Sequence, residues 1–288
     1  FFFHPHPAKP DAQESRGLGD VYKRQLVASS AYAGALDVSG NAKISMKSAD
    51  DDEVTGNSFS MDKGIKFTGS GDLDNGMSVS YLYKMSDSSH TSSKVSIDMG
   101  DAGVFGVGRG NSGAGIRTVR YKIPTAGEEV WDDTDTDDNG IVGTGDTNAL
   151  YYSNSFGGVG FSGSYHKDDD TEKSFALTYS GLMDGLTLVY GMFDDGDTAE
   201  SDTIGAKYTM GNVTAAIQST NVDYEATAST DQDAMHYGVS LAINDDLTVS
   251  AGRQEVEFDG VGEDEVNTGL QASYTMGSIS ISAAINSV

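Results

Sequence analysis

The sequence contains no cysteine and one tryptophan, and three of its four prolines lie within the first ten residues. Without cysteine, neither a disulfide framework nor a thiolate metal site can form. No run reaches the ~18 consecutive apolar residues of a membrane-spanning helix. Basic residues are scarce, because 18 Lys and Arg face 44 Asp and Glu, giving a net charge of −26. Such a negative field repels phosphate backbones and argues against a nucleic-acid partner.

The N-terminal region differs from the rest of the chain. Residues 1–25 show no periodicity, and their second half resembles a translated sequencing adapter, with a disordered native tail as the alternative. Residues 26–33 end in Ala31-Tyr32-Ala33, a small-residue pattern typical of signal-peptide cleavage. We therefore interpret 1–25 as a non-native tail and 26–33 as a signal-peptide remnant. An ordinary Ala/Ser stretch is the alternative for the latter, and the folded part is predicted to span 34–288.

From residue 35 onward, apolar and polar residues alternate with a period of two. This alternation predicts strands with one apolar and one polar face. Fifteen such segments are predicted, several of them ~9–11 residues long, the length at which a tilted strand crosses a bilayer. We expect an inner polar face that includes Ser280, Ser282, Thr268 and Lys84. We expect an outer apolar face that includes Ile279, Ile281, Leu270 and Tyr83.

The connections between these segments are of two kinds. Long acidic connections lie around 49–53, 167–170, 194–197, 225–232 and 259–264, whereas tight turns lie around 100–103, 156–158, 211–212, 244–246 and 277–278. Short turns at one rim and long loops at the other predict an all-β fold, an antiparallel transmembrane β-barrel. Because single-chain bacterial barrels have an even strand number, we expect a 16-stranded family with about 15 strands present and the C-terminal strand missing.

Aromatic residues concentrate near the predicted strand ends. Those near tight turns are Tyr179, Tyr208 and Tyr274, and those near long loops are Tyr83, Tyr165, Phe193, Tyr224 and Phe258. This placement predicts two aromatic belts that bracket an apolar band. Ordinary enrichment of aromatic residues in strands is the alternative.

Three stretches, at 34–40, 69–77 and 106–111, give the chain a resemblance to general bacterial outer-membrane porins of the alphaproteobacterial type. The resemblance covers about residues 34–288. It implies a trimeric channel in the outer membrane of a Gram-negative bacterium, in contact with outer-membrane lipid and lipopolysaccharide. Such a channel passes small hydrophilic solutes and ions by passive diffusion. The family's third surface loop folds inward and narrows the pore, and residues about 110–147 occupy that position here.

Charged residues in and around this connection predict a pore constriction. The basic candidates are Arg109, Arg117, Arg120 and Lys122, together with Lys43, Lys66, Lys84 and Lys94 on the polar face of the first four strands; the acidic candidates are Glu128, Glu129, Asp132 and Asp133. A basic wall facing an acidic loop produces a transverse field that orients dipolar solutes. The net negative charge predicts a preference for cations. The alternative is that these charges only solvate a surface loop.

The same connection contains a match to a calcium-binding loop. Asp135, Asp137, Asn139 and Asp146 fall at positions 1, 3, 5 and 12 of that motif, with Gly140 at its sharp turn. Carboxylate and amide oxygens are the ligands that Ca²⁺ prefers. A chance match in an Asp-rich loop is the alternative, since no flanking helices are predicted. No other cofactor is expected.

Two other classes of protein compete with a channel. A secreted or surface-associated acidic β-sandwich, an adhesin or structural protein, would share this composition. It would be soluble without detergent, whereas a barrel with an apolar outer face would not. A barrel enzyme such as an outer-membrane hydrolase would need a positioned nucleophile and base. The sequence contains no Gly-x-Ser-x-Gly elbow with a matching His and acid, so we predict that the chain is not an enzyme.

Overall fold

The computed structural model describes residues 36–47, 59–87, 89–110, 114–131, 148–167, 171–225, 231–260 and 264–288. These residues form fifteen β-strands and two short 3₁₀ helices, Gly100–Ala102 and Gly115–Thr118. The strands are β1 (Leu36–Met46), β2 (Phe59–Asp72), β3 (Ser78–Ser86), β4 (Ser89–Asp98), β5 (Val104–Gly110), β6 (Ala149–Phe156), β7 (Val159–Lys167), β8 (Thr171–Tyr179), β9 (Leu186–Asp194), β10 (Ala199–Met210), β11 (Val213–Tyr224), β12 (Gln232–Ala242), β13 (Leu247–Phe258), β14 (Glu265–Met276) and β15 (Ile279–Ser287). No described helix is long and apolar enough to cross a membrane.

All fifteen strands belong to one antiparallel sheet whose spatial order is the sequence order, from β1 to β15. This meander needs only hairpin connections between neighbouring strands. Over the described residues no ladder joins β15 to β1, so the sheet is unclosed there. The predicted all-β antiparallel barrel fold is confirmed, as is the presence of fifteen strands.

The tight turns follow from residues that tolerate a left-handed backbone. Between β6 and β7, Gly157 and Gly158 have φ values of 58° and 82°. A two-residue hairpin of type I′ requires positive φ at both central positions, which glycine adopts without steric cost. Side chains at these two positions would strain the turn and disturb the pairing of Phe156 with Val159.

The two faces of the sheet have opposite chemistry. The inner face is defined by the segment 114–131, which contacts side chains of strands from β7 to β15. One short segment can reach strands that far apart only if the sheet curves around it. In β14, Gln271 on the inner face is 5% exposed, whereas Leu270 on the outer face is 63% exposed. This alternation is what the period-two sequence pattern predicts.

Ser280, Ser282 and Lys84 lie on the inner face, in register with Thr275, Ser273 and Ser92. The prediction for Thr268 is wrong. Thr268 lies two residues from Leu270 on the same strand, so both side chains point to the outer face. Its hydroxyl shares a hydrogen bond of 2.8 Å with Ser287 of β15. Neighbouring threonine and serine side chains thus satisfy each other on the apolar side.

The aromatic residues form a belt at one rim but only a partial one at the other. Tyr179, Tyr208 and Tyr274 are on the outer face near the tight turns, with exposed fractions of 36–44%. Near the long loops, Tyr83 and Tyr165 are also on the outer face. The remaining three, Phe193, Tyr224 and Phe258, pair in register with inner-face residues. The belt prediction is therefore wrong for these three residues, which contribute to the lining of the barrel.

Candidate functional site

The segment 114–131, called the constriction segment below, runs across the strands of the inner face, from β7 to β15. It is anchored first to β7 and β8, where the backbone N–H groups of Gly115 and Ile116 donate to Ser162 Oγ (3.0 Å) and Ser174 Oγ (2.6 Å). Small hydroxyl side chains suit this role, because they bring the segment within hydrogen-bond distance of the wall. The segment then proceeds across the strands towards β15.

Two glutamines hold the middle and the end of the constriction segment. Gln218 of β11 accepts from Lys122 N at 2.8 Å and donates to the carbonyls of Val119 (2.7 Å) and Arg120 (3.0 Å). Gln271 of β14 accepts from Gly127 N at 3.0 Å and donates to Glu128 O at 2.6 Å. A primary amide both donates and accepts, so one side chain can satisfy the backbone on both sides of a peptide group. Beyond the 3₁₀ helix Gly115–Thr118, these contacts take the place of regular secondary structure in the segment.

A row of inner-face glycines makes room for the apolar side chains of the constriction segment. Gly238, Gly252 and Gly269 are paired directly across β12, β13 and β14. A Cβ built at Gly238 would lie 2.3 Å from Ile123 Cγ2, and one built at Gly252 would lie 2.7 Å from Val130 Cγ1. Both distances are far below a van der Waals contact. Glycine at these positions therefore allows Ile123 and Val130 to pack on the sheet backbone.

Near its N-terminal end, the constriction segment buries a small apolar core against β8 and β9. Ile116 and Val119 pack with Ala176, Val189 and Phe193. Ile116 and Val119 are 1% and 0% exposed. Burial of these side chains contributes about 1.5–3 kcal/mol each to the docking of the segment.

Polar side chains under the segment are also fully buried. Gln218, His236, Gln254 and Asn267 stand opposite one another across β11 to β14, and each is at most 1% exposed. The His236 ring makes edge contacts with Tyr121 and Trp131, with centroid distances of 5.6 and 5.4 Å. This cluster attaches the middle and the end of the constriction segment to a single residue of β12.

The four predicted wall lysines, Lys43, Lys66, Lys84 and Lys94, all lie on the inner face of β1 to β4. Lys66 stands directly opposite Lys84, and Lys94 Nζ lies 4.2 Å from the centroid of the Tyr151 ring. Tyr151 occupies the space above Gly106, where a Cβ would collide with its hydroxyl. Lys66 and Lys84 thus form a basic stripe on the inner face. Like charges directly across a strand pair repel each other, so this pair contributes charge to the channel and no stability to the sheet.

The charged residues of the constriction segment are only partly buried. Arg120 is exposed, while Arg117, Lys122, Glu128 and Glu129 are intermediate. Burial, and next the charge of Lys207, lower the pKa of the Lys122 amine. The Glu128 carboxylate accepts a hydrogen bond of 3.2 Å from Asn286 Nδ2 on β15. Both signs of charge thus occur along one segment.

Arg109 is not brought to this group. Strand β5 is paired as far as Gly110, and Arg109 stands opposite Ser93 on the outer face, on the same side as Val107 and Phe105. Asp132, Asp133, Asp135, Asp137, Asn139 and Asp146 lie outside the described residues, as do the predicted tail and signal remnant. Within the described ranges, no group of three or more His, Cys, Asp or Glu could hold a metal ion.

The glycines and amides that seat the constriction segment were not predicted from the sequence. A partial signal exists, since glycine inside a strand marks a close backbone approach, and Gly238, Gly252 and Gly269 all fall on the inner parity. Their common partner could not be identified, because it lies more than a hundred residues away in the chain.

Comparison with known proteins places the chain in a family. The family model of Gram-negative porins matches residues 25–288. A porin structure refined at 1.8 Å matches with a TM-score of 0.66 and 20% identity, covering 88% of this chain and 95% of that one. A variant of Rhodopseudomonas blastica porin matches with a TM-score of 0.66 and 15% identity, over 88% and 94% of the two chains. No curated protein sequence matches the chain.

The chain belongs to the Gram-negative porin family, and its fold is that of a bacterial porin of the alphaproteobacterial type, as the resemblance implied. It is a porin channel of the outer membrane of a Gram-negative bacterium. The outer face described above is thus the surface that meets lipid, and the inner face lines the channel.

Proposed function

We propose that the chain forms a water-filled channel through which small hydrophilic solutes and ions diffuse passively, with a preference for cations. The observation that carries this proposal is the constriction segment, hydrogen-bonded across the inner face from Ser162 to Gln271. A segment held there narrows the lumen without blocking it and needs no covalent chemistry. The channel works as a homotrimer after removal of a signal peptide, as the family resemblance implies.

Cation preference is proposed from the distribution of charge. The described part of the inner face carries lysines on β1 to β4, whereas the chain as a whole has a net charge of −26. The acids that follow the constriction segment in the sequence, Asp132, Asp133, Asp135 and Asp137, face the channel in this proposal and outweigh the lysines. A ring of carboxylates at a constriction concentrates cations and excludes anions.

Reversal potentials in a salt gradient across a planar bilayer test this proposal. The double variant Asp135→Asn, Asp137→Asn should lower the cation-to-anion permeability ratio and raise the size cutoff for sugars. The matched control is Asp202→Asn, Asp223→Asn, which removes the same charge from the outer face of β10 and β11. If both double variants shift the ratio equally, the effect comes from net charge alone. If neither changes it, residues 132–147 do not line the pore.

We also propose that Ca²⁺ at Asp135, Asp137, Asn139 and Asp146 braces this region. Removal of Ca²⁺ by a chelator should then increase fluctuations of the single-channel current in the wild type. The same treatment should have no effect on the Asp135→Asn, Asp137→Asn variant. A chelator effect of equal size in both would assign the calcium dependence to another site.

A further inference from the structure

His236 lies on the inner face of β12, beneath the constriction segment, and is 1% exposed. Neither of its ring nitrogens has a hydrogen-bond partner among the residues that the structure describes. Buried polar side chains are nearly always paired, and the amides of Gln218 and Gln254, on the two neighbouring strands, do form hydrogen bonds. His236 therefore anchors the segment through its ring alone, and its two nitrogens take no part in that anchoring.

The His236 ring packs against two aromatic rings of the constriction segment. Its plane is inclined by 85° to the Tyr121 ring and by 63° to the Trp131 ring. The Tyr121 and Trp131 rings are themselves in edge contact, with a centroid distance of 4.6 Å. The three rings thus form one cluster, called the ring cluster below, which holds two separate parts of the segment against β12. This arrangement suits a neutral imidazole, which has no net charge to be hydrated.

The wall around the ring cluster carries no formal charge over three strands. The inner-face positions of β11, β12 and β13 contain no Asp, Glu, Lys or Arg. On the flanking strands, Lys207 of β10 and Glu265 of β14 each lie one row away from the row that contains His236. The described wall therefore offers His236 no carboxylate in its own row.

The constriction segment itself carries charges of both signs close to the ring cluster. In the chain these are Arg120, Lys122, Glu128 and Glu129. Asp132 and Asp133, which follow Trp131, lie outside the described residues. The Glu128 carboxylate accepts a hydrogen bond from Asn286 on β15, and no described carboxylate accepts one from His236. A positive charge on this imidazole would therefore have no bonded counter-ion among the described residues.

A proton on His236 would leave that charge unhydrated. Cation–π attraction to Tyr121 and Trp131 offsets part of the lost hydration, but burial of an unpaired charge costs more than such an attraction contributes. Opening of the ring cluster admits water to the imidazolium and removes this cost. We propose that His236 is a pH sensor of the constriction, whose protonation releases the Trp131 end of the segment and widens the channel on acidification. This regulation rests on the channel function proposed above.

Trp131 is the only tryptophan of the chain, so its fluorescence reports the opening of the ring cluster. In the full chain in detergent, acidification from about pH 8 to about pH 4 spans the titration range of histidines and should increase acrylamide quenching about threefold. His236→Phe keeps a ring and cannot be protonated, so its quenching should stay low throughout. The control His166→Gln removes an inner-face histidine 3.9 Å from the Glu172 carboxylate and should respond as the wild type. Equal quenching changes in wild type and His236→Phe overturn the proposal.

A second measurement follows the width of the channel with uncharged sugars, because acid also neutralises carboxylates in the lumen and thereby alters ion flux. In liposomes, entry of a sugar close to the size cutoff should rise about twofold on acidification of the wild type. His236→Gln, a second uncharged variant in case His236→Phe does not insert, should show no rise. Sugar entry that is equal at both pH values in the wild type overturns the sensor. Absence of sugar entry at both pH values would instead contradict the proposed channel, and Trp131 quenching, which needs no flux, separates the two cases.

Discussion

The inner face of β1 to β4 and the inner face of β9 to β14 differ in how far their polar side chains are exposed to water. On the first, Lys66 and Lys84 are exposed to the lumen, where water screens them. On the second, Gln218, Gln254 and Asn267 are buried under the constriction segment, at 0–1% exposure. A charge in that position would lose its hydration, whereas an amide can pair with a neighbouring polar group. Gln218 donates to the backbone that covers it, and Asn267 Nδ2 donates to Gln254 Oε1 at 3.0 Å. The inner face of β1 to β4 therefore presents its charges to solutes, and the inner face of β9 to β14 holds the constriction segment, which narrows the channel.

The inner face of β9 to β14 is called the covered wall below, because the constriction segment lies over it. The largest effect should come from adding one methyl group to this wall. Gly238→Ala places a Cβ where Ile123 now packs, at 2.3 Å, and should displace the constriction segment. Overpacking of this kind costs about 1–3 kcal/mol. We expect single-channel conductance to rise by roughly twofold, because the segment obstructs part of the lumen.

The matched control is Gly64→Ala on the inner face of β1 to β4, which is called the open wall below. A Cβ there meets the end of the Asn41 side chain at 2.8 Å, which can rotate away, so conductance should stay at the wild-type value. Equal conductance changes in the two variants would remove the distinction between a covered and an open wall.

Removing the central amide should have the next largest effect. Gln218→Ala deletes three hydrogen bonds to the constriction segment and leaves its carbonyls and N–H under cover. Unsatisfied buried groups cost about 1–3 kcal/mol. We expect a noisier open-channel current and a larger sugar cutoff. Asn221→Ala, which removes an outer-face hydrogen bond to Asp233 at 3.0 Å, should leave both quantities unchanged.

Mutations of the lysines on the open wall should change the ion selectivity of the channel but not its width. Lys66→Gln with Lys84→Gln removes two lumen charges and should raise the cation-to-anion permeability ratio by about twofold, with little change in sugar cutoff. Two lysines of β2 allow a close comparison, since Lys63 lies on the outer face in an ion pair of 3.1 Å with Asp87. If Lys63→Gln shifts the reversal potential as much as Lys66→Gln, the inner-face assignment of the stripe is incorrect.

The smallest expected effect is the contribution of Lys122, in the constriction segment, to the pH dependence of the free energy of unfolding. Burial and Lys207 lower the folded-state pKa of Lys122 below its ordinary value of 10.5. Between the two pKa values the unfolded chain binds more protons, so the free energy of unfolding should rise with pH across that window. Urea titrations at several pH values below and up to about 10.5 should show this rise in the wild type. Lys122→Gln should show a smaller rise, and an equal rise in this variant would assign the pH dependence to other groups.

The period-two pattern was sufficient to predict the strands and the facing of the four wall lysines, because each strand has one face in lipid. It was insufficient where the environment of a residue depends on contacts with residues far away in the sequence. Arg109 was grouped with the constriction because it adjoins the long connection, yet pairing of β5 through Gly110 turns it outward. Phe193 was assigned to a lipid belt, but Ile116 and Val119 give it an apolar partner on the inner face. Such partners are defined by tertiary contacts and leave no local signature.

The anchors of the constriction segment also impose an order on assembly. Glu128 meets Asn286 across 158 residues of chain, and Gly115 meets Ser162 across only 47. The N-terminal end of the segment can therefore dock when β7 has formed, but its other end must wait for β14 and β15. Contacts of such separation form slowly, because loop closure precedes them. The pore should accordingly pass through an early wide state and acquire its final bore last.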